Sequence, residues 1–489
     1  MLKQANYWLI ILASVLISRF VGMVFVPFAD TTEPRYAEIA RLMVETGDWI
    51  TPWFEPGVPF WGKPPLSFWL QAISIHTFGL SEFSIRLPAW LATVMTIGLT
   101  WRFAKEVCDT ESAKWSALVL SSMALSYVSA GTVMTDTFLV FGTTLSLVSF
   151  YIVISGGSQA WSWLFFVGLA IGLLSKGPVS ILLTGLPIFL WLALSIKDFK
   201  KLLMFPIFFG LLLTLFLVLP WYILAEQKTP GFLNYFIVGE HFGRFLNPGW
   251  NGDLYGTAHD EPKGTIWIFW MFATFPWGLV TFAWFSKFLW IKIISNNFNN
   301  ILPNRLIQFL LISSISPMLF FTLAGNILWT YVLPALPFFA ILTGIIVSRS
   351  TSQSRALWRW VMVLVVPSVL LALVVSVLLY PKSIESEKEI VKHYSQNAHK
   401  DDSPLYYLGE APFSAMFYAR RNLKEVTIKD VVEILSNNKY RRLYLSVPNS
   451  YLANTDIEIL SESNIVAQSK RYSLLEVNMS DSDWRNINE

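Results

Sequence analysis

Apolar runs long enough to cross a bilayer recur along this chain from its start to about residue 380. The first covers residues 7–28. Others lie near 85–103, 115–131, 138–154, 161–174, 179–196, 203–223, 266–288, 307–323, 328–347 and 358–380. A hydrocarbon core ~30 Å thick takes about 20 apolar residues in helical form. In lipid each backbone N–H and C=O must be satisfied inside the protein, so such runs fold as helices. The pattern predicts a polytopic α-helical membrane protein with about eleven spans, and up to thirteen. Composition agrees. Charged residues make up 14% of the 489, against about 25% in soluble domains. Disorder and an ordinary soluble enzyme are thereby excluded. The net charge of +3, with no basic tract, gives nucleic-acid binding no support. The single cysteine, Cys108, excludes an internal disulfide or a cysteine-based metal cluster.

Loop charge sets the orientation. The first run follows a short basic start (Lys3) and precedes no A-x-A-type cleavage site, so it reads as an uncleaved helix. Arg19 inside it is unusual. The stretch 65–80 is apolar but short, with Ser67, Gln71 and Ser74 on one helical face. If it lies at the interface, Lys105, Lys114, Lys197, Lys200, Lys201, Lys287, Arg305, Arg349 and Arg355 share Lys3's side, as the positive-inside rule requires. The expected topology has a cytoplasmic N-terminus. The long loops 29–84 and 224–265, short links at 132–137 and 176–178, a hairpin at 325–327 and the C-terminal region face the periplasm. Of the acids before residue 381, 13 of 17 face outward on this map. Acids do little to set orientation, so their bias points to function. After residue 380 the composition becomes soluble. Segments 404–408, 442–447 and 472–477 read as strands, and 382–394, 411–420 and 429–436 as helices. The expected division is a membrane domain at 1–380 and a small periplasmic α/β domain at 381–489.

The outward charges are the chemical candidates. In Asp30-Thr-Thr-Glu33-Pro-Arg35-Tyr36-Ala-Glu38, Pro34 suits a helix first turn. Tyr36, Ile39, Ala40 and Met43 then recur at helical spacing. Arg35, Glu38 and Glu45 take the opposite face of a helix lying on the membrane. This is either an anchoring helix with solvated charges, or it sets Asp30 and Glu33 at the mouth of a membrane-level cavity. There a carboxylate acts as base or orients a nucleophile. Lys63, fixed by Pro64 and Pro65, suits a phosphate at headgroup depth or simply snorkels. Gly239-Glu240-His241-Phe242-Gly243-Arg244-Phe245 offers a guanidinium for bidentate phosphate binding. His241 alone is more often structural. With His259 and Glu240 its spacing matches no strong metal motif, so no metal is expected, a divalent ion near His241 or His259 being the minor alternative. Asp136 and Lys176 meet the outer face as a structural ion pair or as parts of a shared site.

Read in order, D-T-T-E-P-R-Y-A-E-I-A, G-D-W-I-T-P, W-G-K-P-P-L-S-F-W-L, F-G-L-S-E-F-S-I-R-L-P, M-T-D, S-K-G-P, E-H-F-G-R-F, the Pro276-Trp277 pair and W-T-Y-V-L-P-A-L-P form a series. It resembles the GT-C glycosyltransferases of the dolichyl-phosphate-mannose–protein mannosyltransferase superfamily. Within that superfamily it is most similar to the lipid A 4-amino-4-deoxy-L-arabinose transferase branch. The likeness covers most of residues 1–345. It implies a GT-C fold and transfer of a sugar, an amino sugar included, from undecaprenyl phosphate to a periplasm-facing acceptor such as lipid A. It implies no nucleotide and usually no essential metal. Carried over by position, Asp30 is the catalytic or acceptor-orienting carboxylate and Arg35 supports it. Lys63 and Arg244 hold the carrier phosphate. Asp136 and Lys176 complete the cavity floor, with Tyr36, Glu240, His241, His259 and Tyr331 around it. Two positions depart from the pattern. Thr32 stands where the branch often has its acid, which leaves Glu33 as rival to Asp30. Gly62 stands where it has Glu before the K-P-P lysine. The rival readings are a protein O-glycosyltransferase of the same fold and, in a different class, a lipid-linked sugar flippase.

Overall fold

The computed structural model describes residues 7–256, 259–294, 304–349, 356–400, 402–437, 440–454 and 463–478. Lys3 and Arg355, used above for orientation, lie outside them. In chain order the elements begin with α1 (Tyr7–Phe25), α2 (Thr32–Thr46), the antiparallel pair β1 (Trp53–Glu55) and β2 (Val58–Pro59), α3 (Leu66–Phe78) and α4 (Glu82–Val107). Next come α5 (Thr110–Ser122), α6 (Ala124–Ser129), α7 (Asp136–Ile154), α8 (Ala160–Lys176), α9 (Val179–Ala193) and α10 (Ile207–Lys228). A π-helical stretch (Asn234–Gly243) leads into α11 (Arg244–Leu246), followed by α12 (Thr265–Ala273), α13 (Trp277–Ile294), α14 (Arg305–Phe321), α15 (Leu336–Ser348) and α16 (Ala356–Leu379).

The chain forms two compact units: Met1–Met23 with Leu42–Leu371, and Val24–Arg41 with Ala372–Glu489. A single boundary at 380 therefore does not describe it. Residues 24–41 go with the C-terminal part because they pack there. Phe28 is fully buried, its ring edge-on to Phe417 and its N–H donating to the Tyr418 hydroxyl at 2.8 Å.

In the first unit each expected apolar run is helical. Among the described residues, six helices are long and apolar enough to cross a membrane, or seven spans if the bent pair α12–α13 is one. The others are shorter or broken. The run at 115–131 splits at Met123 into α5 and α6, and the run at 266–288 turns by 107° between α12 and α13. The two breaks satisfy each other. Ala124 N–H donates to Phe275 O at 2.9 Å, and Trp277 Nε1–H to Ser122 Oγ at 2.9 Å. Irregular backbone at membrane depth persists where protein supplies such partners.

Helix α7 is the centre of the unit and almost wholly buried. Helix α8 crosses it on glycine: a Cβ on Gly142 would lie 2.8 Å from Gly168 O. By contrast α1, α10 and α16 present mostly apolar surface outward, as in Phe208, Phe209 and Phe216 of α10. Apolar side chains all round a helix mark a membrane span. Arg19 is accommodated by a neighbouring helix end, donating to Val128 O at 2.8 Å from beside the Tyr127 ring. In α3 the polar face carrying Ser67, Gln71 and Ser74 is buried, and Ile73 and Phe78 are exposed.

The second unit carries a five-stranded sheet. Its strands are β3 (Leu405–Leu408), β4 (Leu423–Val426), β5 (Arg442–Pro448), β6 (Asn464–Gln468) and β7 (Tyr472–Asn478). Their order is β4-β3-β5-β7-β6, the first three parallel and β7 antiparallel to both neighbours. Helices α17 (Lys388–Asn397), α18 (Phe413–Tyr418), α19 (Ile428–Asn437) and α20 (Asn449–Asn454) complete it. The expected strands and helices are present. The edge strands β4 and β6 and helix α20 had no strong signal: β4 reads Leu-Lys-Glu-Val, polar in the middle as suits an edge. Helix α2 is amphipathic as expected, and on the face opposite Tyr36 and Ile39 Glu45 is exposed but Glu38 is not. Glu38 is buried between Arg41 and Arg421, at 2.7 and 2.8 Å.

Candidate active site

The first unit holds a cavity of about 370 Å³. Its polar lining is Lys63, Asp136, Lys176, Glu240, His241, Arg244, Asn326 and Tyr331, set among Phe236, Phe245, Phe320 and other apolar side chains. Each charged group arrives on a constrained element. Lys63 follows a loop pinned by Tyr255, whose hydroxyl accepts Trp61 N–H at 3.0 Å and donates to Pro59 O at 2.7 Å. Asp136 is the first residue of α7 and Lys176 the last of α8. An acid at a helix N-terminus and a base at a C-terminus both suit the helix dipole. The two are ion-paired, with the Lys176 ammonium 4.7 Å from the Tyr331 ring centroid. Glu240 sits on the π-helical stretch, whose wider turn is frequent at functional sites. Asn326 anchors the next turn, its Nδ2 donating to Arg244 O at 2.5 Å and Asn247 O at 2.8 Å.

Lys63 and Arg244 converge on Glu240. Lys63 Nζ is 3.1 Å from its Oε2, and Arg244 Nη1 is 3.3 Å from Oε1. Arg244 also meets Asp253 at 3.3 Å. Burial works against charge on Glu240, but Lys63 and Arg244 hold its carboxyl below the usual range. It is therefore ionised at neutral pH. Burial holds the pKa of His241 below the ordinary imidazole value. Both its ring nitrogens face carbonyls, Phe236 O at 2.7 Å and Lys176 O at 3.2 Å. Among the described residues no group of three or more His, Cys, Asp or Glu is placed to hold a metal ion. The lining thus gathers three cations, Lys63, Lys176 and Arg244, against two carboxylates, with Asp253 pairing Arg244 from outside it.

The structure brings together Lys63, Asp136, Lys176, Glu240, His241, Arg244 and Tyr331. His259 lies on the second long loop, its carbonyl accepting Ile327 N–H at 3.1 Å, and is not part of the lining. Asp30, Glu33, Arg35 and Tyr36 belong to the second unit. Asp30 does not stand at an open mouth. Its side chain is 1% exposed, Ser414 N–H and Oγ–H donate to it at 2.8 and 2.7 Å, and Arg471 pairs with it. Burial nevertheless pushes its carboxyl up from the ordinary value. Arg35 lies beside the rings of Tyr36 and Phe413. Sequence reasoning missed Asn326 and Tyr235 in the first unit and Ser414, Glu387 and Arg471 in the second. None stands in a motif, and their roles come from partners far along the chain.

Residues 9–236 match the family model described as dolichyl-phosphate-mannose-protein mannosyltransferase. The chain is similar to the undecaprenyl phosphate-alpha-4-amino-4-deoxy-L-arabinose arabinosyl transferase of Aeromonas hydrophila. The two are 30% identical over 326 residues, 63% of this chain and 54% of the relative. The enzyme of the same name from Wigglesworthia glossinidia brevipalpis is 26% identical, covering 68% and 57%. The chain spans about half the length of these curated relatives. Its fold is that of ArnT from Cupriavidus metallidurans, solved bound to undecaprenyl phosphate, with a TM-score of 0.75 at 19% identity over 96% of this chain and 98% of that one. The Archaeoglobus fulgidus oligosaccharyltransferase matches more distantly, at a TM-score of 0.51 and 11% identity over 92% of this chain and 70% of that one.

Proposed function

We propose that this chain is a member of the protein mannosyltransferase family of membrane glycosyltransferases, which its likenesses support, and that it moves a sugar from an undecaprenyl phosphate carrier to a periplasm-facing acceptor. The sugar we place first is 4-amino-4-deoxy-L-arabinose, and the acceptor lipid A. The relatives' names and the ligand of the Cupriavidus structure support the carrier and the sugar. The observation that carries the reading is the convergence of Lys63 and Arg244 on one carboxylate inside the cavity. The same reading puts the protein in the bacterial inner membrane with about eleven crossings. The N-terminus is cytoplasmic, and the long loops and the C-terminal α/β unit are periplasmic. The distribution of lysine and arginine among the loops supports that orientation. No metal enters the reaction as proposed.

The chemistry follows from the charges. An acceptor oxygen attacks the anomeric carbon from the face opposite the carrier. The bond from that carbon to the phosphate oxygen breaks, its electron pair leaves with the carrier phosphate, and the configuration inverts. Negative charge grows on the leaving phosphate, where Lys63 and Arg244 are already in place. A lipid A phosphate attacks as an ionised oxygen and needs no base. Asp136, held by Lys176, is then the cavity carboxylate that orients the acceptor or meets the sugar's amine.

The test is transfer by the purified chain in detergent, with undecaprenyl phosphate-aminoarabinose and lipid A, read by mass spectrometry. The expected product is lipid A heavier by one aminoarabinose. Lys63→Ala and Arg244→Ala should each lower the rate about 100-fold or more, as loss of a preplaced electrostatic partner does, while the protein still inserts. Full activity in both variants overturns the assignment. Sugar appearing on protein instead identifies an O-glycosyltransferase, and carrier movement without bond cleavage a flippase.

A further inference from the structure

Glu240 is unusual for a residue in a site built to bind an anion. Its side chain is 6% exposed, and it lies between the cations that a carrier phosphate would bridge. Its Oε2 is 3.1 Å from Lys63 Nζ and 3.4 Å from Arg244 Nη1. Its Oε1 is 3.3 Å from Arg244 Nη1 and accepts from the Tyr235 hydroxyl at 3.4 Å. The contacts to Arg244 are long beside the usual ~2.7–2.9 Å of charge-assisted hydrogen bonds. Asp253 also meets Arg244, but it is not a lining residue.

We infer that Glu240 is a positioning residue that sets the charge selectivity of the cavity, matching Lys63 and Arg244 to a phosphodiester and weakening their hold on a phosphomonoester. This rests on the carrier-phosphate reading above. A lysine and an arginine side by side would hold a dianion most tightly. Glu240 between them lowers the positive charge of the pair, and Asp253 on Arg244 lowers it further. The donor is a phosphodiester with one negative charge, the smaller of the two loads that these partly offset cations meet. When the bond to the sugar breaks, the carrier becomes a monoester with a charge of about −1.5 to −2 at pH 7. The added charge then faces a fixed carboxylate in a site shielded from water, where repulsion is strong. The spent carrier is pushed out, and the next donor is admitted.

The experiment measures binding of farnesyl phosphate, a monoester, and of its methyl diester to the full chain in detergent. Wild type should bind the two within about threefold of each other. Glu240→Gln keeps the shape but removes the charge. It should bind the monoester about tenfold more tightly, and the diester with less than about threefold change. Transfer by this variant should also be inhibited by added undecaprenyl phosphate at correspondingly lower concentration. Glu240→Asp should keep the wild-type ratio, and Glu240→Ala tests the same charge loss where the glutamine variant does not fold. An equal gain for both ligands, or a loss for both, overturns the inference and leaves the carrier reading standing. Failure of wild type to bind either ligand overturns both.

Discussion

Lys176 owes its position to the residue that follows it. Gly177 ends α8 at φ +76°, and a Cβ there would lie 2.6 Å from the Phe236 ring and 3.1 Å from His241 Cε1. Both rings line the cavity. Alanine at this position must strain the backbone and push the rings that support Lys176 and Glu240. Gly177→Ala is expected to lower the unfolding midpoint and to cut transfer about tenfold or more. Gly47→Ala is the control, since Gly47 also has positive φ but open space around it. If both variants behave alike in thermal unfolding and transfer, the ring contact is irrelevant. The charged lining was legible because Lys63, Asp136, Lys176 and Arg244 are charges in an apolar chain. Asp30 stood out for the same reason, yet its surroundings were not legible. Its partners Ser414 and Arg471 are 384 and 441 residues away. Helical spacing set Glu38 opposite the apolar face, but spacing does not reveal the arginine of another segment lying over it.

At the scale of elements, apolar length located the helices but not their breaks. Pro276 marks the break after α12, since it has no N–H to continue the helix, whereas at Met123 it is the pairing with that other break that accounts for the stop. Strand β6 was invisible for a related reason: as an edge it lacks the run of buried residues that marks β5 and β7. The crossing of α7 and α8 is close enough to require glycine on both helices. A Cβ on Gly168 would lie 2.4 Å from Ser146 Oγ and 2.6 Å from Gly142 O. Small residues let helix backbones approach where lipid supplies no hydrophobic drive. Gly168→Leu should force the helices apart at a cost of about 1–3 kcal/mol or more. Because Asp136 and Lys176 come from these same helices, transfer should fall with stability. Gly98→Leu, at an exposed site with nothing within 4 Å, should be nearly neutral. Equal unfolding midpoints for the two leucine variants in detergent would contradict the packing argument.

For the whole molecule, composition placed a boundary near residue 380 and missed that the chain enters the second unit twice. Residues 24–41 carry charges, Asp30, Glu33, Arg35, Glu38 and Arg41, but lie far from the C-terminal stretch in sequence, and Phe28, Ala37, Ile39 and Ala40 are buried there. The stability of that unit should depend on pH through two carboxyls. Glu387 is fully buried, its Oε1 accepts from Ser469 Oγ at 3.0 Å, and Arg471 stands 4.0 Å away. Burial raises its pKa to about 7, and burial raises that of Asp30 as well. A carboxyl whose folded pKa lies above its unfolded value binds more protons in the folded state between the two. Stability therefore falls as pH rises from about 4.5 to about 7 and levels off above. For Glu387 the change is on the order of 3 kcal/mol, with Asp30 adding in the same direction. Hydrogen exchange at the β3 and β5 amides, corrected for intrinsic rates, should show stronger protection at pH 5 than at pH 8. Glu387→Gln removes the cost of ionisation, so it should match wild type near pH 5 and exceed it at pH 8, leaving only the smaller slope from Asp30. An unchanged slope in the glutamine variant would show that Glu387 is ionised in the folded unit throughout.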